Sequence, residues 1–158
     1  MYQAKWTTQI IGELTNALLR DREDLTTEQM DHLAERLSVA TRDCLVEGYE
    51  ALIPSFELPD PHDRHVLAAA VRAGAQVIVT ANLKDFPEEE LAPFGIEAQS
   101  ADDFVLFAID LNQAKVVGAI HEQAAALKSP PLSADELLDA LEACGLVQSV
   151  VALRALLA

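Results

Sequence analysis

Residues 58–87, LPDPHDRHVLAAAVRAGAQVIVTANLKDFP, decide the predicted fold. Asp60 precedes Pro61, which is the arrangement of an N-cap followed by proline at the first helical position. The helix predicted behind them ends at Gly74, because glycine readily adopts the left-handed conformation that closes many helices. Residues 76–80 (QVIVT) form a β-branched run, which indicates a strand buried on both faces. A helix followed by a buried strand is typical of an α/β fold.

Two helices are predicted on the amino-terminal side of this stretch. The first covers about residues 7–20, and its apolar stripe consists of Ile10, Leu14, Ala17 and Leu18. The second begins at Thr26, and Gln29 three residues later completes a capping box. Short strands are predicted at residues 44–49 (CLVEGY) and 95–99, on either side of the central stretch.

The carboxyl-terminal part predicts helices without strands. One helix is expected from residue 101 and another over residues 113–128, and Ser133 with Glu136 forms a second capping box that opens a third. A last helix is expected over residues 146–157. This part has no cluster of residues that suggests catalysis, so packing or partner binding is the favoured role. We therefore predict an α/β domain over residues 1–109 and a helical extension over residues 110–158.

Composition predicts a soluble protein of the cytoplasm. The chain has 158 residues, of which 51% are hydrophobic, but no stretch approaches the roughly 18–20 apolar residues of a membrane helix. The start, MYQAKWTTQ, lacks the apolar core of a secretory signal. Cys44 and Cys144 are not spaced as the cysteines of a disulfide or metal-binding motif are. We therefore expect two reduced thiols in preference to a disulfide.

The net charge of −15 restricts the kind of partner. It weighs against loose, sequence-independent nucleic-acid binding, which depends on lysine and arginine that neutralise phosphates. It does not exclude a nuclease, because a cleft of carboxylates that recruits divalent cations can attract phosphate. Strong acidity also suits a basic protein partner, although for most of the surface plain solubility is the favoured explanation.

Three acids occupy positions from which a side chain could point inward. Glu13 lies beside the apolar stripe of the first helix, and Asp63 shares a face with the apolar residues of the central helix. Asp85 follows the buried strand, at the end where ligands bind in α/β sheets, together with Thr80 and Asn82. Each also has an ordinary explanation: a solvated helix face, an acid in a first helical turn, or hydrogen bonds within a loop.

Carboxylate and amide oxygens that converge on one cleft suit Mg²⁺ or Mn²⁺. Two such ions about 3.5–4 Å apart can activate water and stabilise the leaving oxygen in phosphodiester cleavage. His62 and His65 suggest zinc as the alternative, since they are three residues apart on one helix. Zinc would need further ligands, however, and none is near in the sequence.

The central stretch resembles the second half of a PIN domain of the VapC-like toxin subfamily. The similarity continues through FGIEAQSADDFV at residues 94–105 and extends back through WTTQIIGELTNALLRD at residues 6–21. Residues 127–146, LKSPPLSADELLDALEACGL, resemble the helical extension that some of these proteins carry. The motif DRHVLAAA followed closely by VIVTANLKDF is the most specific part.

The resemblance implies a three-layer α/β/α fold with a mainly parallel sheet and a Mg²⁺- or Mn²⁺-dependent endoribonuclease. Carried over position by position, it assigns metal binding to Glu13, Asp63 and Asp85. It makes Asn82 a further catalytic residue that orients this group. The substrate contacts that we expect are Thr80, His65 and Lys84.

In the family, a hydrophobic strand bearing an aspartate and then a helix precede the segment that begins here at Tyr2. We therefore expect a sheet that is incomplete at the N-terminus and a site that lacks one acid. The expected substrate is RNA, the expected partner a small antitoxin, and a homodimer is expected from the resemblance. The alternatives are a catalytically inactive PIN remnant that binds an antitoxin and, less favoured, a nuclease that cleaves DNA.

Overall fold

The computed structural model describes residues 2–22, 25–40, 44–128 and 131–157. In chain order its helices and strands are α1 (Thr8–Asp21), α2 (Thr27–Ala40), α3 (Arg64–Ala73), β1 (Val77–Val79), α4 (Glu88–Leu91), β2 (Glu97–Gln99), α5 (Ala101–Leu111), α6 (Gln113–Ala126), α7 (Ala134–Ala143) and α8 (Val147–Leu157). Short 3₁₀ segments lie at Glu50–Ser55, Pro61–Asp63, Leu83–Asp85 and Ala92–Phe94. None of the described helices is both long and apolar enough to cross a membrane.

The chain divides into two compact units. The first comprises Met1–Ile78 and Lys84–Ala98, and the second comprises Val79–Leu83 and Gln99–Ala158. Helix α5 therefore falls in the second unit. The domain limit expected at residue 109 stays a prediction.

The sheet confirms the α/β class. Strands β1 and β2 pair in parallel, as two backbone hydrogen bonds show: Glu97 N donates to Gln76 O at 3.0 Å, and Thr80 N donates to Gln99 O at 2.9 Å. The strand predicted at residues 44–49 is wrong, because this segment makes only an isolated parallel bridge, between Leu45 and Trp6. Gly48 has a φ of 72°, a left-handed conformation that ends the extended backbone before the 3₁₀ segment begins.

The prediction that β1 is buried on both faces is also wrong. Ile78 is buried in the core of the first unit, whereas Val79 is 47% exposed. Successive side chains of a strand point to opposite faces, so one face of the run is covered and the other is not. The β-branched residues therefore correctly indicated a strand, but they did not show that its second face would be exposed.

Helix α1 buries a different face from the predicted one. Leu14 is 37% exposed, and the buried side chain of the helix is Ile11. Thr7, which is fully buried, lies four residues before Ile11 and caps the helix by accepting a hydrogen bond from Ile10 N at 3.0 Å. The buried cap and Ile11 share one face, and Glu13 lies on the exposed side.

Helix α3 supplies much of the core of the first unit. Its buried apolar side chains are Leu67, Ala68, Ala69 and Ala70. The helix begins as a 3₁₀ turn over Pro61–Asp63, and Gly74 ends it with a φ of 63°, so the predicted start and stop are confirmed. The small alanine side chains let α3 pack against the 3₁₀ segment Glu50–Ser55, and the core also contains Phe86.

The second unit has its own core, formed between α5, α6, α7 and α8. Its most deeply buried side chains are Leu138, Val150 and Leu153. The capping box predicted at Ser133 and Glu136 is present at the start of α7. The box predicted at Thr26 and Gln29 is also present, at the start of α2 in the first unit.

Asp102 on α5 caps the amino terminus of α8. Its two carboxylate oxygens accept hydrogen bonds from Gln148 N at 2.9 Å and from Ser149 N at 2.8 Å. Ser149 is fully buried, and its Oγ donates to the Asp102 carbonyl at 2.8 Å. Burial raises the pKa of Asp102, but the hydrogen bonds from Ser149 and Gln148 outweigh it and hold that pKa below its ordinary value.

We expect Asp102→Ala to destabilise the protein by about 1–2 kcal/mol, the usual scale for the loss of a helix cap. Because the folded pKa is depressed, this stabilisation is present above the unfolded pKa of about 3.9 and is lost as the pH falls through the folded pKa. Urea unfolding at pH 7 and near pH 3 tests both statements. Asp110→Asn, on the exposed end of the same helix, is the control. Equal stability of Asp102→Ala and wild type at pH 7 would contradict this role.

Candidate functional site

Three aspartates of the first unit form a compact acidic group. Asp60, Asp63 and Asp85 can each offer one carboxylate oxygen, and these oxygens all lie within 4.8 Å of one another. All three residues are half-buried. Within the described part of the chain this is the one group of histidine, cysteine, aspartate or glutamate side chains with the spacing of a metal site. It joins the start of the α3 segment to the loop that follows β1.

The backbone around each aspartate explains its position. Asp60 caps the 3₁₀ turn before α3, and Asp63 ends that turn. Asp85 ends the 3₁₀ segment Leu83–Asp85 and is followed directly by Phe86, which is buried in the core. The acids are therefore fixed by short turns whose neighbouring side chains are packed inside the first unit.

The charges in this group act on Asp63. Burial raises the pKa of Asp63, and the negative charges of Asp60, Asp85 and Glu13 raise it further, while His65 lowers it. The net shift is upward. The ionised form of Asp63 is therefore less favourable than that of an isolated aspartate, and a cation among these oxygens would relieve the repulsion.

Glu13 lies at the flank of the acidic group. It is outside the set whose oxygens share the 4.8 Å spacing, but its charge contributes to the raised pKa of Asp63. Its Oε1 accepts a hydrogen bond from Gln9 Nε2 at 3.1 Å and lies 3.1 Å from His65 Nε2. The side chain is 54% exposed, so Glu13 could meet a cation from the solvent side.

His65 occupies a buried position beside Glu13. The imidazole is 3% exposed, and its Nδ1 has no hydrogen-bond partner among the described residues. Because so little of its surface is exposed, the ring is poorly placed for direct contact with an RNA. It lies instead beside the carboxylate of Glu13.

Three further residues expected at the site come after β1. Thr80 is half-buried, and its Oγ1 accepts a hydrogen bond from Asn82 N at 3.0 Å, which shapes the turn. Both lie in the second unit. Lys84 is exposed in the 3₁₀ segment Leu83–Asp85 and belongs to the first unit.

Asp60 is the member of the group that the sequence did not identify. Its role as an N-cap was predicted correctly, since its Oδ1 accepts a hydrogen bond from His62 N at 2.8 Å. The same carboxylate also joins Asp63 and Asp85. The available signal was the three-residue spacing of Asp60 and Asp63 across Pro61, which brings two acids together in one turn.

The alternative zinc site lacks support among the described residues. His62 is exposed, whereas His65 is buried, so the two rings of this short segment have different surroundings. The metal-capable group that these residues contain has oxygen ligands and no histidine. Oxygen ligands favour a hard cation such as Mg²⁺ or Mn²⁺ over zinc.

Comparison with known proteins gives two family matches and one curated relative. A family described as "PIN domain" matches residues 2–84, and a family described as "VapC50 C-terminal domain" matches residues 101–155. A protein of Mycobacterium tuberculosis (strain ATCC 25618 / H37Rv), named "Putative ribonuclease VapC50", is 49% identical over 94 residues. The alignment covers 60% of this chain and 55% of the relative, so the chain spans about half of that protein's length. No solved structure matches at the same level of significance.

We predict that Asp63→Asn stabilises the metal-free protein at pH 7. An acid with a raised folded pKa binds its proton more tightly when folded, so its ionised form costs stability above that pKa. Asparagine removes the charge and keeps the shape. The expected gain is about 0.5 kcal/mol, or a rise of about 1–2 °C in Tm.

Thermal unfolding in EDTA measures this effect. The gain should disappear near pH 3, where the wild-type carboxyl is protonated in both states. Asp31→Asn, an exposed acid on α2, is the matched control and should leave Tm nearly unchanged. A lower Tm for Asp63→Asn at pH 7 would mean that the carboxylate stabilises the fold.

Proposed function

Because the chain belongs to the PIN-domain family, we propose that it is a divalent-metal-dependent endoribonuclease of toxin–antitoxin type. The observation that carries this proposal is the group of three carboxylates at Asp60, Asp63 and Asp85. The name of the mycobacterial relative, "Putative ribonuclease VapC50", supports RNA as the substrate.

The donor set fits Mg²⁺ or Mn²⁺. Both ions prefer oxygen ligands, and Mg²⁺ is often held by one or two carboxylates together with water and phosphate. We assign the cation to Asp63 and Asp85, with Asp60 as an additional ligand and Glu13 at the flank. When bound, such an ion supplies the positive charge that activates water and stabilises charge on the phosphate.

The residues of this chain would bind and orient the reactants. Lys84 is an exposed cation one residue before Asp85, which suits contact with an RNA phosphate. Asn82 keeps the catalytic role that the family resemblance implies, and Thr80 fixes the turn through its hydrogen bond with Asn82 N. The raised pKa of Asp63 reflects burial and neighbouring negative charges, and a bound cation would offset both effects.

The proposed protein partner is a small antitoxin with a basic binding segment. The net charge of −15 supports a partner of opposite charge, since complementary charge accelerates association. The match to the VapC50 C-terminal domain supports the toxin subfamily. A cytoplasmic location and a homodimer belong to the same proposal.

Cleavage of RNA by the purified full chain tests the activity. With Mn²⁺ and a random-sequence RNA pool, we expect Asp63→Asn and Asp85→Asn to lower the initial rate about 100-fold, the scale for loss of one charged stabilising group. Asp31→Asn should keep the wild-type rate. Excess EDTA should abolish cleavage by wild type.

Two results would reject parts of this proposal. Equal rates for wild type and both site variants would identify a contaminating nuclease and leave the chain without the proposed activity. Cleavage of a random-sequence DNA pool at the same rate as RNA would favour a nuclease without the expected substrate preference.

A further inference from the structure

The imidazole of His65 connects α3 to α1 through Glu13. His65 is 3% exposed, and its Nε2 lies 3.1 Å from Glu13 Oε1. Glu13 is itself 54% exposed. A long acidic side chain with that much freedom would ordinarily sample several rotamers, so a buried partner restricts it far more than a surface partner could.

Both contacts of Glu13 involve the same oxygen. Gln9, one helical turn earlier on α1, donates from Nε2 to Glu13 Oε1 at 3.1 Å, and His65 approaches that oxygen from α3. Two nitrogens from two elements thus hold Oε1. No described residue is recorded as a partner of the second oxygen, Oε2, so this oxygen is left for another ligand.

The surroundings of the other ring nitrogen, His65 Nδ1, favour a hydrogen on Nε2. His65 Nδ1 is buried and has no hydrogen-bond partner among the described residues. A hydrogen on Nδ1 would be a buried donor without an acceptor, which is unfavourable. The tautomer with its hydrogen on Nε2 avoids this, and Nε2 is the nitrogen that lies 3.1 Å from the acceptor Glu13 Oε1.

We propose that His65 is a positioning residue that holds Glu13 by Oε1, so that Oε2 is presented to a divalent cation bound by Asp60, Asp63 and Asp85. This inference rests on the proposed metal-dependent function. It gives His65 a place one step removed from the cation and the substrate, as residues behind metal ligands commonly have. Pre-ordering Glu13 lowers the entropic cost of binding the ion.

Three substitutions at His65 distinguish the effect of its hydrogen-bond donor from the effect of the size of its ring. The amide nitrogen of His65→Gln can reach the place of Nε2, whereas that of His65→Asn takes the place of Nδ1 and is too far from Glu13. His65→Phe keeps an aromatic ring at this buried position but has no donor. His62→Gln, at an exposed histidine three residues away, is the control.

The measurements are the Mn²⁺ dissociation constant by calorimetry on the full chain and Tm in EDTA. We expect His65→Asn and His65→Phe to weaken Mn²⁺ binding about 10-fold, the lower end for residues behind metal ligands. His65→Gln should bind within about 3-fold of wild type. In a Glu13→Gln background, His65→Phe should have no further effect on Mn²⁺ affinity.

A purely structural histidine would give another pattern. His65→Gln and His65→Asn would then weaken Mn²⁺ binding equally, or only in proportion to their loss of Tm, and the positioning role would be overturned. Mn²⁺ affinities of His65→Asn and His65→Phe equal to wild type would overturn this inference alone. A wild-type chain that takes up no Mn²⁺ would overturn the proposed function and this inference with it.

Discussion

Burial and the negative charges of Asp60 and Asp85 make the ionised form of Asp63 less favourable in the folded first unit, and apolar burial in the same unit outweighs this cost. Leu58 lies two residues before Asp60, and Phe86 directly follows Asp85; both are buried in the same core. Burying such a side chain contributes about 1.5–3 kcal/mol. Repulsion between partly exposed charges is smaller, about 0.2–1 kcal/mol. The core therefore fixes the acids in an arrangement that they would not adopt by themselves.

This arrangement connects the fold to the proposed chemistry. Helix α3 is anchored by Leu67 and Ala68, and it carries Asp63 at its start and His65 two residues further on. Its alanine-rich buried face permits close packing, while Asp63 at its start is only half-buried. The same element thus holds an acidic residue of the site and the buried ring that contacts Glu13. Membership of the PIN-domain family agrees with an α/β unit followed by carboxyl-terminal helices.

The sequence predicted the parts of the fold that depend on local signals. The cap at Asp60, the stop at Gly74 and both capping boxes involve residues within a few positions of one another, so their geometry follows from the chain itself. The strand expected at residues 44–49 and the second buried face of β1 depended on distant neighbours. Sequence periodicity carries little information about those neighbours, and both predictions were wrong.

At the candidate site, too, the sequence predicted what depends on local signals and missed what depends on distant residues. Asp63 and Asp85 were identified because each occupies a position with a clear local reason, at a helix start and after a strand. Asp60 was assigned only its cap, because its second role requires the loop around Asp85 to fold back toward it. The contact between Glu13 and His65 joins residues 52 positions apart (65 minus 13), and no spacing rule indicates it.

The central claim is that Asp63 lies among negative charges that a divalent cation neutralises. A carbon-detected NMR titration of the Asp63 carboxyl, with and without Mg²⁺, tests it most directly. The account predicts a pKa of Asp63 above the ordinary aspartate value in EDTA and a marked fall when Mg²⁺ is added. An ordinary pKa in EDTA that Mg²⁺ leaves unchanged would contradict it.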